Sequence, residues 1–563
     1  MIGFPGGTPD VSPRWQRRRP APVFARNGMV AAAHPLTTAA GLGQLARGGN
    51  AVDAAVAAAL TAAVVMPEMC AIGGDLFAVV HRPARAGEGG GGETVAVHGS
   101  GIAPRGATLD LMRERGERGG TRMPYQGPLS IAVPGFVDAC LALLDRFGSR
   151  PFAEVAGSAI GHAADGFPLG PLGAAAIAET TDLLAQFPAS AAVFLPAGRA
   201  PATGDLLRQP DLARTLTEIA AGGADVFYRG EVARRLASAV ADLGGALAAD
   251  DLADHATDLA PPIATTYRGY SVLATGRPSH GPILLEALNI IAAGADPAAF
   301  AARTAPGIHL QVEAIKRATA DRLAYAGDPL FVDDPLSTLL SPEWAARRFA
   351  TIDPDRAAAE VAPGQLRDGD TTYIAVADGA GTMVSLISSL SSGFGSGVVA
   401  GDTGVLLNNR AGRGFTLEDG HPNVYAPGKK TMHTLHCYLV AAPDGTPLLV
   451  GGTPGGDGQP QWNLQVLSAL IDARLDVQAA VELPRWTSWP ATDPITLPNP
   501  YDLRAEDRID EETLAELARL GHRVVRRGPW AGGGAVQLVA RDPQTGVLAG
   551  GSDPRAEGLA LGF

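Results

Sequence analysis

The chain changes character near residue 371, and that change limits what it can fold into. From 150 to 270, Ala/Leu-rich helical segments such as "DLARTLTEIAAGG" and "GEVARRLASAVADLGG" alternate with short loops. "HLQVEAIKRATADRLAYAG" at 309–327 adds an amphipathic helix. After Asp370 come strand-like runs, "TTYIAVAD", "TMVSLISSL", "HTLHCYLVAA" and "TPLLVGG", the first two joined by the turn-forming "DGAG". A sheet therefore starts near Thr371, far from either end of the chain, and the class is α/β.

The rest of the chain supplies further layers. "TTAAGLGQLARGGNAVDAAVAAALTAAVVMPEM" from Thr37 reads as two helices separated by Gly48-Gly49-Asn50, the second alanine-rich for close packing. "LFAVVHR" at 76–82 and "TVAVHGSG" read as a hairpin across the glycine-rich turn "AGEGGGGE". "GGTPGGDGQPQWNLQVLSALIDARL" is a glycine turn leading into a helix with Leu464, Leu467, Leu470 and Ile471 on one face, and "EETLAELARLG" is a late helix. Residues 1–25 read as a flexible leader.

Apolar residues at 46% and charged residues at 18% describe a soluble globular protein with ample material for a core. A net charge of -13 repels phosphate backbones and anionic membranes, and the one basic cluster, "RWQRRRP", sits in the leader. No nucleic-acid or membrane role is expected. Cys70, Cys140 and Cys437 lie far apart in apolar stretches and read as buried thiols. The N-terminus lacks an apolar signal core and no stretch is long enough for a membrane helix, so a cytoplasmic protein is expected.

Two short motifs carry chemistry. Thr371-Thr372 at the head of a strand is, by composition, an ordinary β-branched opening. If the chain were cut before Thr371, that residue would instead offer its hydroxyl as nucleophile and its freed α-amino group as base. An α-amino group has a pKa of roughly 8, so near neutral pH much of it is available as a base. "TPGGDGQ" is no P-loop, since no GK[ST] follows; its backbone N–H groups suit an oxyanion, though a plain tight turn has the same composition.

The wider sequence resembles the γ-glutamyltranspeptidase family over nearly its whole length. The stretches that carry the resemblance run from Gly28 to Val80, from Arg277 to Ile291 ("RPSHGPILLEALNII") and from Glu313 to Pro329 ("EAIKRATADRLAYAGDP"). They continue with "TTYIAVADGAGTMVSLISSLSSGFGSG" from Thr371, "GVLLNN" from Gly404 and "GTPGGDGQ" from Gly452. The resemblance implies a four-layer αββα sandwich of the N-terminal nucleophile hydrolase type, self-cleaved between Asp370 and Thr371. A large (α) subunit over 26–370 and a small (β) subunit over 371–563 would then remain one structural unit. It further implies an acyl-enzyme on Thr371, assistance from Ser389, and an oxyanion hole at Gly455 and Gly456. No cofactor and no metal are implied. The expected partners are a small-molecule substrate and the two subunits of one precursor, with room for a homodimer of processed heterodimers.

The substrate-recognition positions depart from the family. Where an arginine clamps the substrate α-carboxylate the chain has Leu109, with Arg105 four residues earlier. Arg410 and Arg413 stand at or beside the glutamine and aspartate that follow "LLNN". His433 and Thr434 replace paired serines, Ser391 replaces an asparagine and Tyr373 replaces a histidine. Arginine for aspartate reverses the preferred charge, because guanidinium pairs bidentately with carboxylates. The expected acyl donor is therefore not γ-glutamyl and carries a carboxylate or oxo-acid group. The pattern "NNRAGRGF", "MHTLH" and "GGDGQPQ" looks like a divergent branch that includes oxamate amidohydrolase, cephalosporin-acylase-like proteins and antibiotic-pathway homologues cleaving an oxalyl-type side chain at a C–C bond. A true γ-glutamyl enzyme and a catalytically silent binding protein are the other readings. The second is disfavoured by retention of Thr371, Ser389 and both glycines. His433 and His436 read as residues of one strand facing opposite ways, not as a metal pair.

Overall fold

Alternation along the strand Thr372–Asp378 decides how the layers stack. Ile374 and Val376 enter one apolar core, while Tyr373, Ala375 and Ala377 enter another. Successive strand side chains point to opposite faces, so this strand is covered on both sides. The computed structural model describes residues 2–4, 17–84, 92–301, 303–361, 371–489 and 501–563.

Two seven-stranded sheets lie face to face. In one, Thr372–Asp378 is central, flanked by Gly28–Ala32 and Met383–Ser389, followed outward by Asp75–Arg82 and Glu93–Gly99. In the other, Pro447–Gly452 and Tyr438–Ala441 are central, with Gln537–Arg541 and Tyr270–Ala274 beside them. The apolar layer between them holds Phe77, Val79, Tyr373, Ile387, Leu439, Val450 and Val539. Helices Pro35–Ala46 and Ala51–Val65 cover the outer face of the first sheet, and Gly281–Ala292, Ala305–Tyr325 and Gly458–Ile471 cover the second. This is the αββα sandwich that the resemblance implied.

Local chemistry sets several junctions. Asn50 caps the second helix by accepting from the N–H groups of Val52 and Asp53, while Asp53 accepts from the Asn50 N–H at 2.8 Å, a reciprocal capping box. All fifteen residues of Ala51–Val65 are buried, which its alanines permit by letting backbones approach closely. The "DGAG" turn joins the first two strands as expected, with Thr372 paired to Ser388 and Ala377 to Met383. The three cysteines are free and buried.

Three expectations need correction or qualification. Where it is described, the leader is held to the body: Ile2 is buried, Arg18 and Arg19 donate backbone N–H groups to Glu482, and Val23–Ala25 pairs with Leu548–Gly550. A three-residue edge strand behind a Pro/Arg-rich run leaves almost no periodic signal. "HTLHCYLVAA" pairs as a strand only over Tyr438–Ala441, since His433–Cys437 runs along the Thr275–His280 loop instead. Most of the turn "AGEGGGGE" lies outside the described residues, as does Asp370. Among the described residues no helix is long and apolar enough to cross a membrane.

Candidate active site

Thr371 stands one residue before its strand and is 1% exposed, yet its Oγ1 makes no hydrogen bond to the described residues. The register Thr372↔Ser388, continued by one residue, sets Thr371 opposite Ser389. Ser389 is itself paired across the sheet with Asp75. The Ser389 hydroxyl accepts the Ser391 N–H at 2.7 Å, and Ser391 sits at φ 92°, a conformation costly for a side-chain-bearing residue. Thr371 lines a cleft together with Met66, Glu68, Pro454, Ala535 and Glu557.

Pro454 brings the glycine turn to the same cleft. Gly455 and Gly456 adopt φ 120° and 53°, and the helix Gly458–Ile471 follows directly. A Cβ on Gly455 would stand 2.2 Å from the Trp462 ring, and one on Gly458 would stand 2.4 Å from it. Trp462 is fixed in turn by its indole N–H, which donates to Thr487 Oγ1 at 3.0 Å. The turn thus requires glycine twice over, for its dihedrals and for the ring packed against it. Tyr373 sits between the sheets, where a Cβ on Gly452 would meet its ring at 2.3 Å, and its hydroxyl bonds Ser385. Its position joins the strand that follows Thr371 to the strand that leads into the glycine turn.

Arg410, Arg413, His433 and Thr434, the positions where the chain departs from the family, form a buried strip beside this cleft. Arg410, 1% exposed, donates from Nε to Asp75 Oδ2 at 2.9 Å. Burial raises the Asp75 carboxyl to about 6, against the opposing pull of Arg410. His433 Nε2 shares a hydrogen bond with Ser100 Oγ, its ring packs on Phe77 at 4.8 Å, and its Nδ1 is 3.9 Å from Asp75. Burial holds the His433 imidazole neutral, and nearby Arg410 adds to that. Arg413 Nη1 donates to Thr434 Oγ1 at 3.3 Å.

These contacts bring together Arg410 with His433, and Arg413 with Thr434, as a strip on one side of the strand pair. They also expose residues the sequence reading missed. Asp75 and Ser100 carry no motif of their own, although "GGD" before a strand marks where a buried carboxylate enters. Trp462 is signalled only by its place one turn into the helix. Arg105 lies elsewhere, pairing with Asp254 at 2.9 Å and Asp251 at 3.5 Å, with its side chain 49% exposed. Leu109 packs with the apolar cluster of Met112 and Phe415. His436 points away from His433, accepting from Asn463 Nδ2 at 2.8 Å, with its ring lowered to about 3 by burial. Among the described residues the one His/carboxylate cluster is His309, Glu313 and His522. There the histidines bond each other at 2.8 Å and Glu313 is engaged by Lys316 and Arg317.

The γ-glutamyltranspeptidase family model matches residues 37–563. The chain belongs to the γ-glutamyltranspeptidase family. A glutathione hydrolase-like proenzyme, YwrD, of Bacillus subtilis is 35% identical over 96% of this chain and 99% of its own length. An oxamate amidohydrolase proenzyme of Klebsiella pneumoniae is 35% identical, covering 95% and 98%. The crystal structure of a cephalosporin acylase from Bacillus halodurans superposes with a TM-score of 0.88 at 34% identity, covering 100% of this chain and 99% of that one. The family is one of hydrolases and acyltransferases made as proenzymes, and this chain is such an enzyme.

Proposed function

We propose that this enzyme cuts itself between Asp370 and Thr371 and then cleaves a small amide, or a related acyl compound, through an acyl ester on Thr371. The freed α-amino group of Thr371 takes the hydroxyl proton as Oγ1 attacks the carbonyl carbon. The backbone N–H groups of Gly455 and Gly456 receive the oxyanion, and Ser389 steadies the nucleophile across the strand pair. Collapse of the adduct breaks the C–N bond, and the amine leaves with the proton the α-amino group had taken; water or another amine then attacks the ester carbonyl, and its proton passes through the α-amino group to Oγ1 as the ester C–O bond breaks. The observation that carries this reading is the Thr371 Oγ1 itself, buried, without a hydrogen-bond partner among the described residues, and lining one cleft with the residue that opens the glycine turn.

The acyl donor in this reading bears a carboxylate or oxo-acid group and is not γ-glutamyl. Arg413 beside Thr434 supplies the cation, with Ser391 at the edge of the strip. Arg410 is already matched by Asp75, so its part is to hold His433 and the strip in place. Oxamate, named for one relative, is an amide that carries a carboxylate, which supports the same substrate class.

A denaturing gel with N-terminal sequencing of the smaller band tests the cut: the expected sequence begins Thr-Thr-Tyr, and an intact chain or another start rejects it. For recognition, Arg413→Gln is expected to raise KM for an oxo-acid amide by about tenfold or more, the size of one charge-assisted pair lost. Unchanged KM rejects Arg413 as the receptor.

A further inference from the structure

A second cationic cluster lies against the recognition strip from the large-subunit side. The loop Arg277–His280 is tied to the strip by backbone bonds, His433 N–H to Pro278 at 2.8 Å and His280 N–H to Leu435 at 3.2 Å. His280 Nε2 is 3.8 Å from Asp457 Oδ1, and Asp457 directly follows Gly456. Arg322, from the helix Ala305–Tyr325, lies within electrostatic reach of Asp457, Arg277 and Arg413. The cluster therefore spans the space from the strip to the oxyanion turn.

Several of its nitrogens are buried without a hydrogen-bond partner among the described residues, although Asp334 and Glu286 act on Arg277 and Asp457 on Arg322 through space. The Arg277 side chain is 3% exposed and meets Asp334 through Nε at 3.4 Å, but neither terminal nitrogen has a hydrogen-bond partner among the described residues. The same holds for Nε and Nη1 of Arg322 and for both ring nitrogens of His280, residues 3% and 0% exposed. Buried guanidinium N–H groups without acceptors are costly, and a planar carboxylate satisfies two at once. One unmatched donor would be unremarkable; two arginines and a histidine converging on one place are a built receptor.

We propose that Arg277 and Arg322, with His280 beside them, form an anion subsite that receives a carboxylate of the substrate on the large-subunit side of the oxyanion turn. The subsite stands on these contacts alone; calling its anion a substrate group rests on the reading of Thr371 as the catalytic centre. The cut itself and turnover by Thr371 are tested separately and do not enter the binding experiment.

Calorimetric titration of the processed wild-type enzyme with succinate, its dimethyl ester and inorganic phosphate is the test. Succinate is expected to bind at least tenfold more tightly than the uncharged ester of like shape, and more tightly than phosphate. Arg277→Gln and Arg322→Gln are each expected to weaken succinate at least tenfold, and Arg322→Lys less than Arg322→Gln. Equal affinity for succinate and its ester, or succinate affinity unchanged in both glutamine variants, overturns the subsite. Tighter binding of phosphate overturns the carboxylate assignment. The ester comparison uses wild-type protein only, so equal affinity overturns the subsite even if a glutamine variant fails to fold, while the glutamine variants separate it from Arg413. Normal self-cleavage with no succinate binding would reject the subsite and leave the Thr371 reading standing.

Discussion

The Thr371 cleft and the strip of Arg410, Asp75, His433 and Ser100 lie side by side but are held by different means. Thr371 is placed by strand register, and Gly455 and Gly456 by dihedral angles and a tryptophan ring. Arg410, Asp75, His433 and Ser100 instead hold one another through side chains from separate segments. Backbone placement tolerates wide change in surrounding side chains. A side-chain network can be rewritten only as a unit, because removing one member leaves another buried and unmatched.

The comparison can be broken at either side. Thr371→Ala should abolish self-cleavage and lower turnover by about 10³-fold or more, read from gels and from steady-state rates. Retained turnover would show that the centre is not built on this residue. Gly455→Ala should lower kcat by about 10²–10³-fold, as for loss of an oxyanion donor, because its Cβ meets Trp462 and its φ is unfavourable. A near-normal kcat would mean the turn is only structural.

On the strip, Asp75→Ala leaves the Arg410 charge buried without its carboxylate and should cost about 3–5 kcal/mol in denaturant unfolding. The double change Asp75→Leu with Arg410→Met should cost far less, and equal costs would deny that the two act as a pair. The strip should also show in the pH dependence of stability. Asp75 is raised from 3.8 to about 6, so the folded state binds its proton more tightly than the unfolded state does. Its contribution is full below the unfolded value and is lost as pH rises through about 6. Thermal melts across that window should show a fall that Asp75→Asn removes. The smallest effect belongs to the surface: Arg105→Ala should change stability by about 1 kcal/mol or less and leave kinetics unaltered. A large rise in KM would make Arg105 the missing carboxylate clamp after all.

What was legible in the sequence followed the same division. Thr371, Ser389 and the paired glycines stood out only through the resemblance to the family, since a Thr-Thr strand opening and a glycine turn before a helix are common local patterns. The break at Gly48-Gly49-Asn50 between two helices and the helix face of Leu464, Leu467, Leu470 and Ile471 were readable from local spacing alone. Arg410 and Arg413 were legible as a reversal of charge but not as different in role. Arg410 meets a carboxylate 335 positions earlier in the chain, and no spacing rule reaches that far. The leader misled for a related reason, since Val23–Ala25 is a strand only by virtue of the edge it joins at Leu548–Gly550.

By itself the sequence determined most of the elements and the family, since periodicity and turn chemistry act over a few neighbours and the family motifs are contiguous runs. Only the tertiary structure decided that Arg410 meets Asp75, that Arg413 reaches Thr434, and that the loop of Arg277 and His280 lies against the segment His433–Leu435. Charge balance in a buried site depends on distance in space, and the packing of two sheets and their helices sets that distance.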